Sequence, residues 1–180
     1  PLSRLYGERA LVARVRDGAP SAVVCQAKYA ELWHDVLNEL GSKATVIVAD
    51  GNDRVPGATL LSDLLSAGKG WTPVDTRRDD PALLLYTSGT TGPPKGVVHA
   101  HRVVPGHAAS LSLAHNLYPR AGSVLWSPAD WSWAGGLVNC LFYAWWTGTP
   151  IIAAPDRPFD VDVALTQLEA GNATAVFLPP

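Results

Sequence analysis

The segment Tyr86 to Gly96, YTSGTTGPPKG, sets hydroxyls at Thr87, Ser88, Thr90 and Thr91 among glycines at 89, 92 and 96, and ends on Lys95. Glycine lets successive amide N–H groups turn toward one point and lets a ligand touch the backbone. The hydroxyls add donors around that point, and the lysine adds a mobile positive charge. Charge-assisted hydrogen bonds of this kind contribute roughly 1.5–3 kcal/mol each before desolvation and ordering costs. Several together would hold a polyphosphate. An ordinary solvated turn uses the same residue types, but it does not need the hydroxyls, the spaced glycines and the lysine together.

Such a loop must be held by its neighbours. The apolar run Ala82 to Tyr86 reads as a buried strand, and the β-branched pair Val97 and Val98 resumes an extended run. The loop is therefore read as a strand-to-strand connection. It is not a Walker A loop, which requires glycine before the lysine, Ser or Thr after it, and a helix N-terminus facing the phosphates. Here Pro94 precedes Lys95 and Gly96 follows it. From Pro81 to Ala129 there is no Asp or Glu, while Lys95, Arg102, Arg120 and four histidines are present, so this segment offers an anion little repulsion.

The string YTSGTTGPPKGVVHAHR resembles the signature of the adenylate-forming superfamily, which includes acyl-CoA synthetases, luciferases and nonribosomal peptide adenylation domains. The flanking strings PLSRLYGERALVARVRDGAPSAVV and SPADWSWAGG resemble acetate and other acyl-CoA ligases in particular, so the resemblance covers nearly the whole chain. It implies a two-step reaction. A carboxylate attacks the α-phosphorus of MgATP to give acyl-AMP and pyrophosphate, and the coenzyme A thiol then displaces AMP. By the same resemblance, Thr87, Ser88, Gly89, Thr90, Thr91, Gly92 and Lys95 would contact the β- and γ-phosphates. Lys95 would act as the catalytic charge on the leaving group. The expected cofactors are ATP, Mg²⁺ and coenzyme A.

In this family the aromatic position of the Asp130 to Gly136 motif, DWSWAGG, lies beside the acyl pocket. Trp133 aligns with the tryptophan of the GW pair of acetate-type ligases. The chain has Ser132 where that pair has glycine, which leaves Trp131 as a rival for the pocket wall. Gly135 would allow close backbone approach. No metal ligand is assigned within the chain. His99 and His101 stand two apart on the expected strand, but no Cys, Asp or Glu sits nearby to complete a shell. An aryl-CoA ligase, a peptide-synthetase adenylation domain and a non-catalytic nucleotide-binding scaffold are the alternatives, since the loop is shared while pocket residues differ.

The 180 residues suffice to bury about 70% of the surface of the unfolded chain. They contain no methionine, so the sequence is read as an incomplete piece, residues 1–180, of a single AMP-binding N-terminal domain. The later aromatic-Gly-x-Thr-Glu motif, the ribose-binding Asp and the small C-terminal domain that the resemblance implies would lie outside it. Such a piece is expected to be inactive alone. Net charge is −2 and the basic residues are scattered, which disfavours nucleic acid as a partner; the resemblance implies a small-molecule carboxylate instead. Cys25 and Cys140 fit no zinc or redox spacing and are read as small buried thiols of a cytoplasmic protein. The uncharged run Trp131 to Pro155 is long enough for a membrane span, but Thr147 to Pro150 splits it by a turn signal into a helix and a strand.

Helices are expected over Glu8–Arg16, with Arg9, Arg14 and Arg16 on its polar face, Tyr29–Leu40, closed by Gly41, Leu60–Ala67, Arg102–Leu117, Gly136–Trp146 and Val161–Glu169, while Asp79 and Asp80 read as solvated loop. Strands are expected at Ala22–Cys25, Thr45–Ala49, Ser123–Trp126, Ile151–Ala154 and Thr174–Leu178, with Thr59 as an N-cap. Strands alternating with helices predict an α/β fold, a mostly parallel sheet flanked by helices. By the resemblance, this is part of the large N-terminal domain of an acyl-CoA synthetase.

Overall fold

Helical spacing of apolar residues and short β-branched runs build the expected alternation. The computed structural model describes the chain except for residues 52–53, 69, 71, 88–93, 154–157 and 180. Two compact units result, one of Leu5–Thr76 with Tyr86–Val97, the other of Pro1–Arg4, Arg77–Leu85 and Val98–Pro180.

In the first of these, α1 (Glu8–Gly18), β1 (Ala22–Cys25), α2 (Ala30–Glu39), β2 (Thr45–Val48), β3 (Thr59–Leu60) and α3 (Leu61–Ala67) follow in order. The strands pair in parallel in the order β1-β2-β3, with Ala22 opposite Thr45 and Ile47 opposite Thr59. Leu11, Val12 and Val15 of α1 and Trp33, Val36 and Leu37 of α2 are buried, as are Val23, Val46 and Val48 of the strands. Each such side chain contributes about 1.5–3 kcal/mol of burial. α2 stops where Gly41 takes φ +59° and Ser42 N–H donates to the Leu37 carbonyl at 2.9 Å, the glycine-terminated ending its sequence predicts.

Three expectations change here. Thr59 does not cap α3, because its backbone is drawn into β3 beside Ile47. A two-residue strand is too short to leave a periodic signal. Arg14, placed by helical spacing on the polar face of α1, is buried, because its guanidinium stacks on an aromatic ring. Cys25 is only half-buried.

The other unit carries α4 (Val103–Ala114), β6 (Leu125–Trp126), a helical run, β7 (Ile151–Ile152), α7 (Val161–Ala170) and β8 (Ala175–Val176). The helical run consists of α5 (Ala134–Gly136), a π-helical stretch (Leu137–Phe142) and α6 (Tyr143–Thr147). These strands also pair in parallel, in the order β7-β6-β8. β6 is central, and the chain leaves it first to one side and then to the other. In open α/β sheets the carboxyl end of such a strand is where ligands bind. Beneath it, Leu111, Tyr118, Leu125, Cys140, Tyr143 and Ala144 form a buried cluster, and the Tyr143 hydroxyl donates to the Tyr118 carbonyl at 2.7 Å. Asp160 caps α7 by accepting from Val163 N–H at 3.0 Å.

α6 ends at Gly148, whose φ of +67° lets Thr149 N–H reach the Ala144 carbonyl at 2.8 Å. The turn therefore divides the uncharged run as expected. Among the described residues no helix is long and apolar enough to cross a membrane.

A two-stranded sheet joins β4 (Pro81–Thr87) and β5 (Lys95–Ala100). β5 starts at Lys95, two residues before the valines that signal it. His101 lies past its end, where its N–H donates to the Asp80 carbonyl at 3.2 Å, so the two histidines do not share a strand face. Asp79, expected in a solvated loop, pairs with Arg102 at 2.6 Å.

Cys140 is fully buried, and burial pushes its thiol up to about 11, only partly offset by a hydrogen bond with Ser127. A thiol harder to ionise in the folded state than in the unfolded chain lends stability below its ordinary value of 9.0, and that contribution is lost as pH rises from there through about 11. Urea unfolding at pH values across that window should show falling stability, with a shallower slope in Cys140→Ala.

Candidate active site

The segment expected to hold phosphate runs from the end of β4 to the start of β5. Thr87 closes β4 and Lys95 opens β5, and both are exposed. Lys95 makes no hydrogen bond or ion pair with any described residue. Ser88, Gly89, Thr90, Thr91 and Gly92 lie outside the described residues.

Just before Thr87, the Tyr86 hydroxyl lies 2.8 Å from Asp17 Oδ2 and 3.1 Å from the Arg14 carbonyl oxygen. Its phenol is pushed up to about 12, chiefly by burial and then by the hydrogen bond to Asp17 and that carboxylate's charge, against a smaller opposing effect of Arg14. The phenol is therefore the donor. This cluster escaped sequence reasoning. Its members lie far apart in the chain, and Arg14 carries the helical spacing of a solvated residue.

The tryptophan motif follows the carboxyl end of β6. Asp130 organises it, because its Oδ1 accepts from Ser132 N–H at 2.8 Å and its carbonyl accepts from Trp133 N–H at 3.1 Å. Such a side-chain turn is a common use of Asp. Ser3 Oγ donates to Asp130 Oδ2 at 3.3 Å. Spacing alone gave Asp130 no role.

The two tryptophans have different surroundings. Trp131 is partly buried against the Leu85, Leu137 and Leu141 cluster and borders a cavity of about 340 Å³ shared with Trp126, Phe159 and Gln167. Trp133 is 50% exposed, with its ring centroid 6.1 Å from that of Phe177. Its ring lies directly over Gly135, so close that a Cβ there would overlap it. Gly136 is equally constrained, since a Cβ would stand 2.5 Å from the Asp130 carbonyl oxygen. Glycine at both positions is a requirement of close approach.

Thr87 thus ends β4 and Lys95 begins β5 on either side of a segment whose sequence is rich in glycine and hydroxyls. The family model for AMP-binding enzymes matches residues 1–180. The chain belongs to the AMP-binding enzyme family.

Among members of this AMP-binding family, benzoate–CoA ligase of Thauera aromatica is 32% identical over 143 residues, covering 79% of this chain and 26% of that protein. An acetyl-coenzyme A synthetase of Marinobacter nauticus is 37% identical over 101 residues, covering 52% of this chain and 15% of that protein. The crystal structure of ATP-bound MatB from Rhodopseudomonas palustris superposes with a TM-score of 0.75 at 26% identity, covering 99% of this chain and 33% of that one. The chain thus spans about a quarter of the benzoate–CoA ligase and a third of MatB.

Magnesium was expected with ATP. Among the described residues no three His, Cys, Asp or Glu side chains gather into a metal site, so no step through a metal is assigned to these residues.

Proposed function

We propose that the protein containing this chain activates a carboxylic acid as acyl-AMP and transfers the acyl group to coenzyme A. In the first step a carboxylate oxygen bonds to the α-phosphorus of ATP while the bond to the bridging oxygen breaks and pyrophosphate leaves with that electron pair. In the second, the thiol sulfur bonds to the acyl carbon, the thiol proton is released, and AMP leaves. Two anions must meet in the first step, so the chain's task is to neutralise and align the leaving group.

The observation that carries this reading is the exposed Lys95, with no described partner, at the C-terminal end of a hydroxyl- and glycine-rich sequence. Thr87, Ser88, Gly89, Thr90, Thr91, Gly92 and Lys95 contact the β- and γ-phosphates. The ATP-bound state of MatB supports ATP as the nucleotide. Trp133 forms the wall of the acyl pocket. Its half-exposed ring, lying over Gly135, offers a flat apolar face, whereas Trp131 is packed among leucines. The setting is cytoplasmic.

A short or medium carboxylate such as acetate is the preferred substrate. An aryl acid is the second reading, favoured by the longer coverage of this chain by benzoate–CoA ligase. Carboxylate-dependent pyrophosphate exchange by the full-length enzyme, compared across acetate, butyrate, octanoate and benzoate, separates them. Acetate or butyrate should exceed benzoate in kcat/KM by about tenfold or more, which is the scale of pocket discrimination. The reverse order would select the aryl reading, and exchange with none of the acids would reject adenylation. The 180-residue segment by itself should form no acyl-adenylate.

A further inference from the structure

The cluster at the root of the loop does more than fill space. Tyr86 precedes Thr87, the last residue of β4, and its hydroxyl meets Asp17 Oδ2 and the Arg14 carbonyl at the C-terminal end of α1. A phenol has one proton to give, and the shorter contact is the charge-assisted one to the carboxylate. Arg14 completes the arrangement from beneath. It is 6% exposed, and its guanidinium carbon sits 3.9 Å from the Tyr6 ring centroid and 5.6 Å from that of Tyr86. Nη1 donates to the Ala10 carbonyl at 2.7 Å, while Nε has no partner among the described residues.

Burying a guanidinium costs more than burying an aliphatic chain of the same volume, and stacking on aromatic rings recovers only part of that. A Leu or Met at position 14 would suit packing alone. What the cation and its rings add is direction. The Tyr86 ring is held on one face by the stack and at its tip by Asp17, so the strand end that launches the loop has little freedom to shift.

We propose that Tyr6, Arg14, Asp17 and Tyr86 form a clamp that fixes the end of β4, from which the chain enters the phosphate-binding loop, making Tyr86, Arg14 and Asp17 positioning residues for ATP. The inference rests on the reading of that loop as the ATP site. Positioning matters because a displacement of about 1 Å can cost on the order of 100-fold in rate. Asp17 is exposed, so water can replace the phenol when the hydroxyl is removed. Loss of position is thereby separable from loss of folding.

The test uses the full-length enzyme with Tyr86→Phe, Asp17→Ala and Asp17→Asn beside Lys95→Ala. It reads ATP affinity by calorimetry, KM for ATP and for carboxylate, and Tm. Tyr86→Phe and Asp17→Ala should each weaken ATP binding about tenfold while the carboxylate KM stays within about twofold. Asp17→Asn, which keeps an acceptor, should retain most of the affinity, and the double variant Tyr86→Phe with Asp17→Ala should be no worse than either alone. Unchanged ATP affinity in Tyr86→Phe, with Lys95→Ala impaired, would overturn the clamp and leave the loop's role intact. If Lys95→Ala slowed no acyl-adenylate formation and Tyr86→Phe left ATP binding unaltered, both would fall. A Tm drop beyond about 5 °C with both KM values rising together would mark the cluster as scaffold only and overturn the proposal.

Discussion

Replacing Lys95 with Ala in the full-length enzyme should slow acyl-adenylate formation by roughly 10- to 100-fold, or about 1.4–2.8 kcal/mol of transition-state stabilisation. The ammonium stands at the first position of β5, exposed and with no described partner, so it is not required to hold the fold. Negative charge grows on the leaving pyrophosphate as its bond to the α-phosphorus breaks, and a positive charge beside it acts more strongly there than on bound ATP. The loss should therefore fall mainly on kcat, with a smaller rise in the KM for ATP. Tm should be unchanged, because an exposed lysine with no ion pair among the described residues contributes little to stability. Pyrophosphate exchange and single-turnover acyl-AMP formation measure the effect. An unchanged rate would remove Lys95 from the leaving-group role.

The second large effect concerns the neighbouring glycines of the tryptophan motif, whose expected responses are opposite. In Gly135→Ala the new methyl meets the outer edge of the Trp133 indole. That ring is half exposed and can swing away, so folding should survive at a cost of about 1 kcal/mol. On the proposed reading, the acyl wall is lost with it. The KM for carboxylate should rise by about tenfold while the KM for ATP holds, and Trp133→Ala should give the same pattern. In Gly136→Ala the methyl meets backbone, the Asp130 carbonyl oxygen and carbon, which cannot swing. The turn that Asp130 builds would be forced open, and destabilisation of about 3 kcal/mol or more is expected. Kinetics paired with urea unfolding distinguish the two. A Gly135→Ala enzyme with an unaltered carboxylate KM would argue against Trp133 as the wall and turn attention to Trp131 and its adjoining cavity.

Much of the candidate site was legible in the chain because its parts are contiguous. The loop from Thr87 to Lys95 and the motif from Asp130 to Gly136 each declare themselves by residue type and spacing. The order of helices and strands was legible for the same reason, since a buried stripe on α2 or a β-branched run in β2 is a local pattern. Less legible were the two-residue β3, which exists only because β2 offers it hydrogen bonds, and the π-helical stretch within a run that spacing reads as plain helix. The burial of Arg14 could not be read from spacing, because helical periodicity reports a face and not what covers it.

The sequence alone thus determined the family, the alternation of strands and helices and the residues that could grip phosphate, because these depend on neighbours along the chain. Tertiary structure alone decided which tryptophan stays open and which is packed among leucines, why Gly136 admits no side chain, and how Tyr86 is tied to Asp17 across 69 positions. Those outcomes depend on distances between residues remote in sequence, and no local pattern encodes such distances.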